Sequence, residues 1–425
     1  MVVLAASAPV RADDGVVAPP WWISGELDAF VIGQSGFHSR SSGAHSLSSS
    51  GQLDGTVLAT VTAGYTPTSI TALVVSGQSI AGDAPSDGHG LGAPLEDDYV
   101  RSPGAGAVPF LGSAFVDQVI PLSSERESRA RDPLHLLSSL PRRRLELRAG
   151  QLWAPDWFDG EPLGFRNAAI RHDGAWDYPA NDRGYTVGVV AEYASALWRV
   201  RFAELTMPKV PRGGDYDLDL ANARSEIAEV QAHTCILGHP GFARVGGYID
   251  HANMGNYAIA IGVFETGETD TPDVTMFRTV GNTRRGWFAG YDQDLGHGLR
   301  AFVGASASDG GVETFGTNEI DDSFRIGATA RGTSWTRPLD EAGLGFASNG
   351  LSSIHQSYLA LGGLGPILGD GSLHYSRENV GEAYYDARVI RGVRASAHFE
   401  LIVNPGFYAN RGPVEVGELR VVAVF

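Results

Sequence analysis

The chain has 425 residues, with 32 Lys+Arg against 49 Asp+Glu, for a formal net charge of −17. That balance argues against a nucleic-acid partner, which calls for a basic patch, and no stretch reaches the roughly 18 apolar residues of a membrane-spanning helix. A single cysteine, Cys235, excludes an internal disulfide, and no Cys/His spacing suits zinc.

The N-terminal run "MVVLAASAPVRADDG" reads as the back half of a secretory leader. Its apolar stretch ends at a small-residue pattern, Val10-Arg11-Ala12, before Asp13-Asp14. Residues 1–12 are therefore expected to be a leader remnant and 13–425 a single domain.

From there on, the pattern is period-2 alternation rather than the 3.6-residue period of helices. In "RRRLELRAG", Leu145, Leu147 and Ala149 oppose Arg144, Glu146 and Arg148; in "LWRVRFA", Trp198, Val200 and Phe202 oppose Arg199 and Arg201. "SFRIGATAR" sets Phe324, Ile326, Ala328 and Ala330 against Arg325, Thr329 and Arg331. In residues 383–389, Ala383, Tyr385, Ala387 and Val389 oppose Tyr384, Asp386 and Arg388; in 393–403, Val393 to Val403 oppose Arg394, Ser396, His398 and Glu400. The whole chain reads as about sixteen strands, near 22–35, 55–65, 68–80, 113–121, 143–153, 184–194, 197–206, 222–236, 241–251, 286–294, 297–306, 323–333, 340–350, 378–389, 393–403 and 414–425.

These strands run to about ten residues, longer than those of ordinary globular sheets and suited to crossing a bilayer at a tilt. The connections alternate in register. "TPT", "SA", "GHP", "DLGH" and "RGV" are tight, whereas 81–112, 154–183, 252–285, 307–322 and 351–377 are long. Short turns on one rim and long loops on the other predict an all-β fold, a transmembrane antiparallel β-barrel with short periplasmic turns and long extracellular loops. One connection, 122–142, breaks the short-turn rule and is expected to hold a small helix around Leu134 to Leu140.

An arginine facing lipid near the midplane costs roughly 2–4 kcal/mol, so the charged face must line the interior. The acidic excess falls largely in the long loops, at Glu96, Asp97, Asp98, Glu319 and Asp321 among others. The last stretch, "GELRVVAVF", is expected to pair with the first strand near Ile23 to Val31 and close the cylinder. Phe425 would then sit at the periplasmic aromatic girdle, where a terminal aromatic looks like the sorting signal read by the barrel-assembly machinery.

No catalytic motif stands out. "DYDLDL" (Asp215, Asp217, Asp219) lacks the glycine and glutamate of a calcium loop and reads as a solvated acidic loop. "GLGPILGDG" has no Lys-Ser/Thr for phosphate, and His398 beside Glu400 reads as a polar wall pair. No enzyme activity, metal or cofactor is expected. The chemistry lies in the lumen: Arg144, Arg148, Arg199, Arg201, Arg388 and Arg394 are candidates for binding hydroxyls or attracting anions. Tyr384 lies in the same lining, and Glu146, Asp386 and Glu400 are the opposing carboxylates. The bland reading is that these charges pair across neighbouring strands and only fill the barrel.

Several segments resemble the carbohydrate-selective porin (OprB) family of the bacterial outer membrane. They are "GAWDYPANDRGYTVG" (174–188), "RFAELTMPKV" (201–210), "HANMGNY" (251–257), "GLGFASNGLSSIHQSYLALGGLGPILGDG" (343–371), "EAYYDARV" (382–389) and "NPGFYANRGPVEV" (404–416). The resemblance implies passive diffusion of small carbohydrates through a pore narrowed by inward-folded loops, in a cell outer membrane whose lipid surrounds the barrel. The segment "WFDGEPLGFRNAAIRHDG" departs from the family's usual loop after the fifth strand. A general or anion-preferring porin, and a non-conducting barrel for polysaccharide assembly, remain open alternatives. So does an outer-membrane enzyme with a Ser/His/acid set at one rim. Association with further copies of the chain is also open.

Overall fold

The computed structural model describes residues 19–98, 105–160 and 164–425; the expected leader over 1–12 lies outside them. Sixteen long strands follow one another around the wall. The first eight are β1 (Trp21–Gln34), β2 (Gln52–Thr68), β3 (Thr71–Gly82), β4 (Phe110–Pro121), β5 (Arg144–Leu152), β6 (Thr186–Ala194), β7 (Trp198–Thr206) and β8 (Arg224–Ile236). The second eight are β9 (His239–Gly255), β10 (Arg278–Gly296), β11 (Leu299–Ser308), β12 (Asp322–Gly332), β13 (Arg337–Gly350), β14 (Glu378–Ile390), β15 (Val393–Val403) and β16 (Val414–Val424). Each pairs antiparallel with its sequence neighbours, and β1 pairs with β16 as well as β2. Leu27, for instance, lies between Ala59 and Ala423. Closure leaves no free edge, the condition for a sheet in lipid. The seam runs to the last residue, where Phe425 and Gly25 exchange backbone N–H···O bonds of 2.9 and 2.8 Å.

The alternation read from sequence sorts the two faces. On β1, Ile23, Leu27 and Val31 are exposed to the lipid side, whereas Asp28, Phe30, Ile32 and Gln34 are buried inside. On β13 to β16 the outward set includes Leu344, Phe346, Phe399, Leu401, Leu419 and Val421, and the inward set Glu382, Tyr384, His398, Glu400 and Arg420. Arginines in the strands such as Arg148, Arg244, Arg325 and Arg420 face inward, as the cost of placing them in lipid requires.

Several strands run further than expected, β2, β9 and β10 most of all. β9 and β10 extend the ladder to Gly255 and Arg278, so the loop between them shrinks to a short stretch carrying the helix α2 (Tyr257–Glu265). Before α2, in the long loop between β5 and β6, lies a one-turn helix, α1 (Ala168–Arg171); after it, between β13 and β14, lies α3 (Ser353–Ala360).

The helix expected around Leu134 to Leu140 is absent. That connection instead forms a small ladder, Arg126–Ser128 against Ser139–Pro141, and a turn at Asp132. The Asp132 carboxylate accepts from the N–H groups of Leu134 and His135 at 2.8 and 2.9 Å, an arrangement that competes with helix formation. The segment turns up into the barrel. Leu134, Leu136, Leu137 and Leu140 are buried beside Phe115 and Trp157. Gly64 on β2 permits this, because a Cβ there would collide with Leu136.

Candidate functional site

The loop joining β5 to β6 is too apolar to stay in water. Trp153, Trp157, Phe158, Phe165, Trp176 and Tyr178 are all buried, and they carry the loop down into the lumen. Along the way the wall satisfies its backbone. The N–H groups of Arg166 and Asn167 donate to Glu382 at 2.9 and 3.1 Å, and the Asn167 side chain donates to Glu400 at 2.8 Å. Arg325 donates to the Ile170 carbonyl at 3.0 Å, and Tyr248 Oη to the Ala175 carbonyl at 2.6 Å. Asp177 accepts from the N–H groups of Phe315 and Gly316, tying this loop to the one between β11 and β12.

A second loop, between β3 and β4, meets it from the other side. Its Glu96 accepts from Arg420 at 2.7 Å and lies 3.8 Å from Arg166. Asp98 also accepts from Arg420, at 2.8 Å, and Asp28 on β1 shares the same guanidinium. Asp97 sits 3.1 Å from Arg171 and 3.0 Å from His172. Burial pushes the Asp97 carboxyl up, but His172 and Arg171 outweigh it and hold the group well below the usual carboxylate range.

Further along the inward loop, Arg325 bridges Asp159 at 2.7 Å and Asp173 at 3.2 Å. Arg244 approaches Asp159 at 3.4 Å and donates to Asp292 at 2.8 Å. Gly160, at φ 89°, and Gly290 leave the flat space that the Arg244 guanidinium occupies. Burial raises both loop carboxyls. Arg325 and Arg244 pull Asp159 well below its ordinary value, whereas Asp173, beside that charge, stays well above its own.

This layer of paired charges separates two vestibules. The outer one, on the long-loop side, has a volume of about 890 Å³ and is lined by Asp97, Asp182, Arg183, Asp273, Arg278 and Tyr178 among others. The inner one, on the short-turn side, has about 680 Å³ and is lined by Arg166, Asp292, Arg300, Glu341, Asp386 and Arg394 among others. Above the outer vestibule the loops are clamped at His355 on α3. Its Nδ1 lies 2.9 Å from Asp321 and its Nε2 3.1 Å from Glu319, with the ring stacked on Tyr257 at 4.4 Å.

The residues predicted from sequence fall into three groups. Asp386 and Arg394, paired at 2.7 Å, line the inner vestibule; Arg388 lies half-buried at the same rim, two residues further along β14. Tyr384 and Glu400 hold the inward loop: Tyr384 packs edge-on against Phe165 at 5.0 Å and donates to Glu341 at 2.6 Å, and Glu400 accepts from Asn167. Arg201 is paired with Glu192 at 2.5 Å and Glu229 at 2.7 Å, while Arg199 is half-buried on the same face of β7. Arg144, Glu146 and Arg148 form a buried network under the 122–143 insert, outside both vestibules. Arg144 donates to Glu146 at 3.0 Å, Arg148 also donates to Glu146, and the Arg148 guanidinium lies 4.1 Å over the Trp157 ring.

Of the charged layer, sequence reasoning placed Asp97 only among the acidic residues of a long loop and passed over Asp159, Arg166, Arg171, His172 and Asp173. Their signal was the aromatic content of the loop that carries most of them, since that many rings have to be buried somewhere. The acidic loop at Asp215, Asp217 and Asp219 lies at the surface, and among the described residues no group of His, Cys, Asp or Glu is arranged to hold a metal ion.

The model of the carbohydrate-selective porin, OprB family, matches residues 138–425. Among solved structures, the high-pH structure of Pseudomonas putida OprB superimposes with a TM-score of 0.71 at 15% identity, covering 96% of this chain and 94% of that one. The low-pH structure of Pseudomonas putida OprB gives a TM-score of 0.51 at 12% identity, covering 96% and 93%. No curated protein sequence matches.

Proposed function

The chain belongs to the carbohydrate-selective porin, OprB family, and from that membership we propose a route and a set of contacts for the sugars it passes. The protein is an outer-membrane channel for small carbohydrates. The solute enters the outer vestibule, crosses the charged layer at Asp97, Arg166, Arg171 and His172, and leaves through the inner vestibule past Asp386 and Arg394. One observation carries this route: two polar cavities, one towards each rim, meet the same layer, with Asp97 lining the upper and Arg166 the lower.

At the layer, guanidinium forks and carboxylates offer donors and acceptors to vicinal hydroxyls, while Tyr178 presents a ring face in the outer vestibule. Each contact must be weak, because a solute held tightly would not leave. In this reading Arg394 and Asp386 touch the solute, Tyr384 and Glu400 position the loop, and Arg144, Glu146 and Arg148 hold the insert in place. The outward apolar face of β16, ending at Phe425, is the surface we assign to recognition by the barrel-assembly machinery; deletion of Phe425 should slow insertion into proteoliposomes that carry this machinery and leave insertion into plain liposomes largely unchanged.

Planar-bilayer conductance with sugar titration tests the route. Open channels blocked reversibly by small sugars are expected, with block weakened by Arg166→Ala. Absence of open channels at any voltage would overturn it, and would favour a plugged barrel for polysaccharide assembly.

A further inference from the structure

The interior of this channel is acidic to a degree that its arginines do not balance. Among the described residues, buried carboxyl groups outnumber buried arginines more than two to one, and the single lysine, Lys209, is exposed. The half-buried inward arginines, such as Arg199, Arg201 and Arg394, narrow the gap without closing it. In the outer vestibule one of the few cations, Arg278, is forked onto Glu313 at 2.6 and 2.9 Å and contributes little net charge. Asp182 and Asp273 line the same cavity.

At the floor of that cavity lies an acceptor without a donor. Asp97 is 5% exposed, its Oδ2 faces Arg171 and His172, and its Oδ1 has no hydrogen-bond partner. A buried carboxylate oxygen left open costs free energy unless a donor reaches it; Oδ1 is itself shielded from solvent, so a donor coming from the vestibule that Asp97 lines must displace what covers it. An ammonium or a hydroxyl fits such an oxygen; a second carboxylate does not. Acidic linings of this kind also concentrate cations and repel anions along a pore.

Resting on the channel reading above, we propose that the pore prefers cations and that Asp97 Oδ1 is a receiving point for permeating sugars. Neutral and amino hexoses are accepted there, and sugar acids of the same size are disfavoured. Four of the six arginines singled out from sequence as attractors of anions are occupied by the protein's own carboxylates: Arg144 and Arg148 by Glu146, Arg201 by Glu192 and Glu229, and Arg394 by Asp386.

The test is the reversal potential of single channels across a KCl gradient, followed by block with glucose, glucosamine and glucuronate at equal concentration. The wild type should show a cation-to-anion permeability ratio several-fold above one, with glucosamine and glucose both blocking more strongly than glucuronate. Asp97→Asn should move the ratio toward one and weaken glucosamine block about tenfold, the size of one lost charge-assisted contact. Asp182→Asn, at an exposed position on the vestibule wall, gives a second reading of the ratio in a barrel whose buried layer is untouched. A ratio at or below one in open channels would overturn the proposal and leave the porin reading standing. So would glucuronate block equal to that of glucosamine. A chain that never opens would overturn the channel reading and this inference with it.

Discussion

At the short-turn end the lumen has a dry half and a wet half, built from the same residue types. On the β1–β5 side, the 122–143 insert brings four leucines up under Phe115 and Trp157, and His135 meets Trp157 edge-on at 5.7 Å. There Arg144, Glu146 and Arg148 are sealed in, with side chains at most 3% exposed. Across the barrel, Arg394 and Asp386 form the same kind of ion pair at the mouth of the inner vestibule, with side chains 20% and 10% exposed. Alternation along a strand turns a charge inward. Whether that charge is locked or wet depends on what folds down beside it, and the energetic and functional consequences diverge from there.

The largest effect is expected where the lock is tightest. Glu146 is the carboxylate between Arg144 and Arg148, with Arg129 at 3.5 Å. Glu146→Ala takes the shared carboxylate from buried Arg144 and Arg148, leaving them Glu127 at 2.8 Å and Asp117 at 3.7 Å, and breaking a buried pair this way costs about 3–5 kcal/mol. Unfolding in detergent, followed by tryptophan emission across a guanidinium titration, should show a loss of that order. A loss near zero would mean that water reaches the insert and that the dry half is not dry.

The division into halves was only partly legible in the sequence. The wall was legible because a strand's two faces follow from residues two apart, a local rule that needs no knowledge of the partner strand. The seam was legible too, since β15 occupies one side of β16 and closing the barrel leaves only β1 for the other. The filling of the lumen was not, because it depends on contacts between residues far apart in the chain. Arg420 finds Glu96 across 324 positions and Asn167 finds Glu400 across 233. The wall alone would have left Arg144 and Arg394 equivalent. The leucines of 134–140 and the rings of 153–178 carried the missing information, but as composition, without a direction attached.

A second, smaller effect concerns the long-loop end. His355 is wholly buried, and although burial works against its charge, Asp321 and Glu319 raise its pKa to about 9. Because that lies above the ordinary value of 6.5, the clamp is fully formed below about pH 6.5 and is lost as pH rises through about 9. The groups facing the ring are Asp321, Glu319 and Tyr257, with Arg284 on the far side of Asp321. Linkage sets the contribution on the order of 3 kcal/mol. Protease cleavage within the loop carrying α3 should therefore accelerate above pH 9 in folded barrels. His355→Gln should cleave quickly at every pH, and an unchanged wild-type rate from pH 7 to pH 10 would remove the clamp from the account.

The smallest effect on stability should come from the wet half, and it is the one that separates the halves most cleanly. Asp386→Ala releases Arg394, which retains the Leu339 carbonyl at 3.1 Å and open solvent in the inner vestibule. A pair with that much water is worth about 1 kcal/mol or less, so the guanidinium titration should barely move. Conductance should respond instead, since a freed cation at the exit makes the inner vestibule less attractive to potassium and lowers the cation-to-anion permeability ratio. If Asp386→Ala destabilised the barrel as much as Glu146→Ala and left the ratio alone, the inner vestibule would be packing rather than path. The two ion pairs would then be the same device placed on opposite walls.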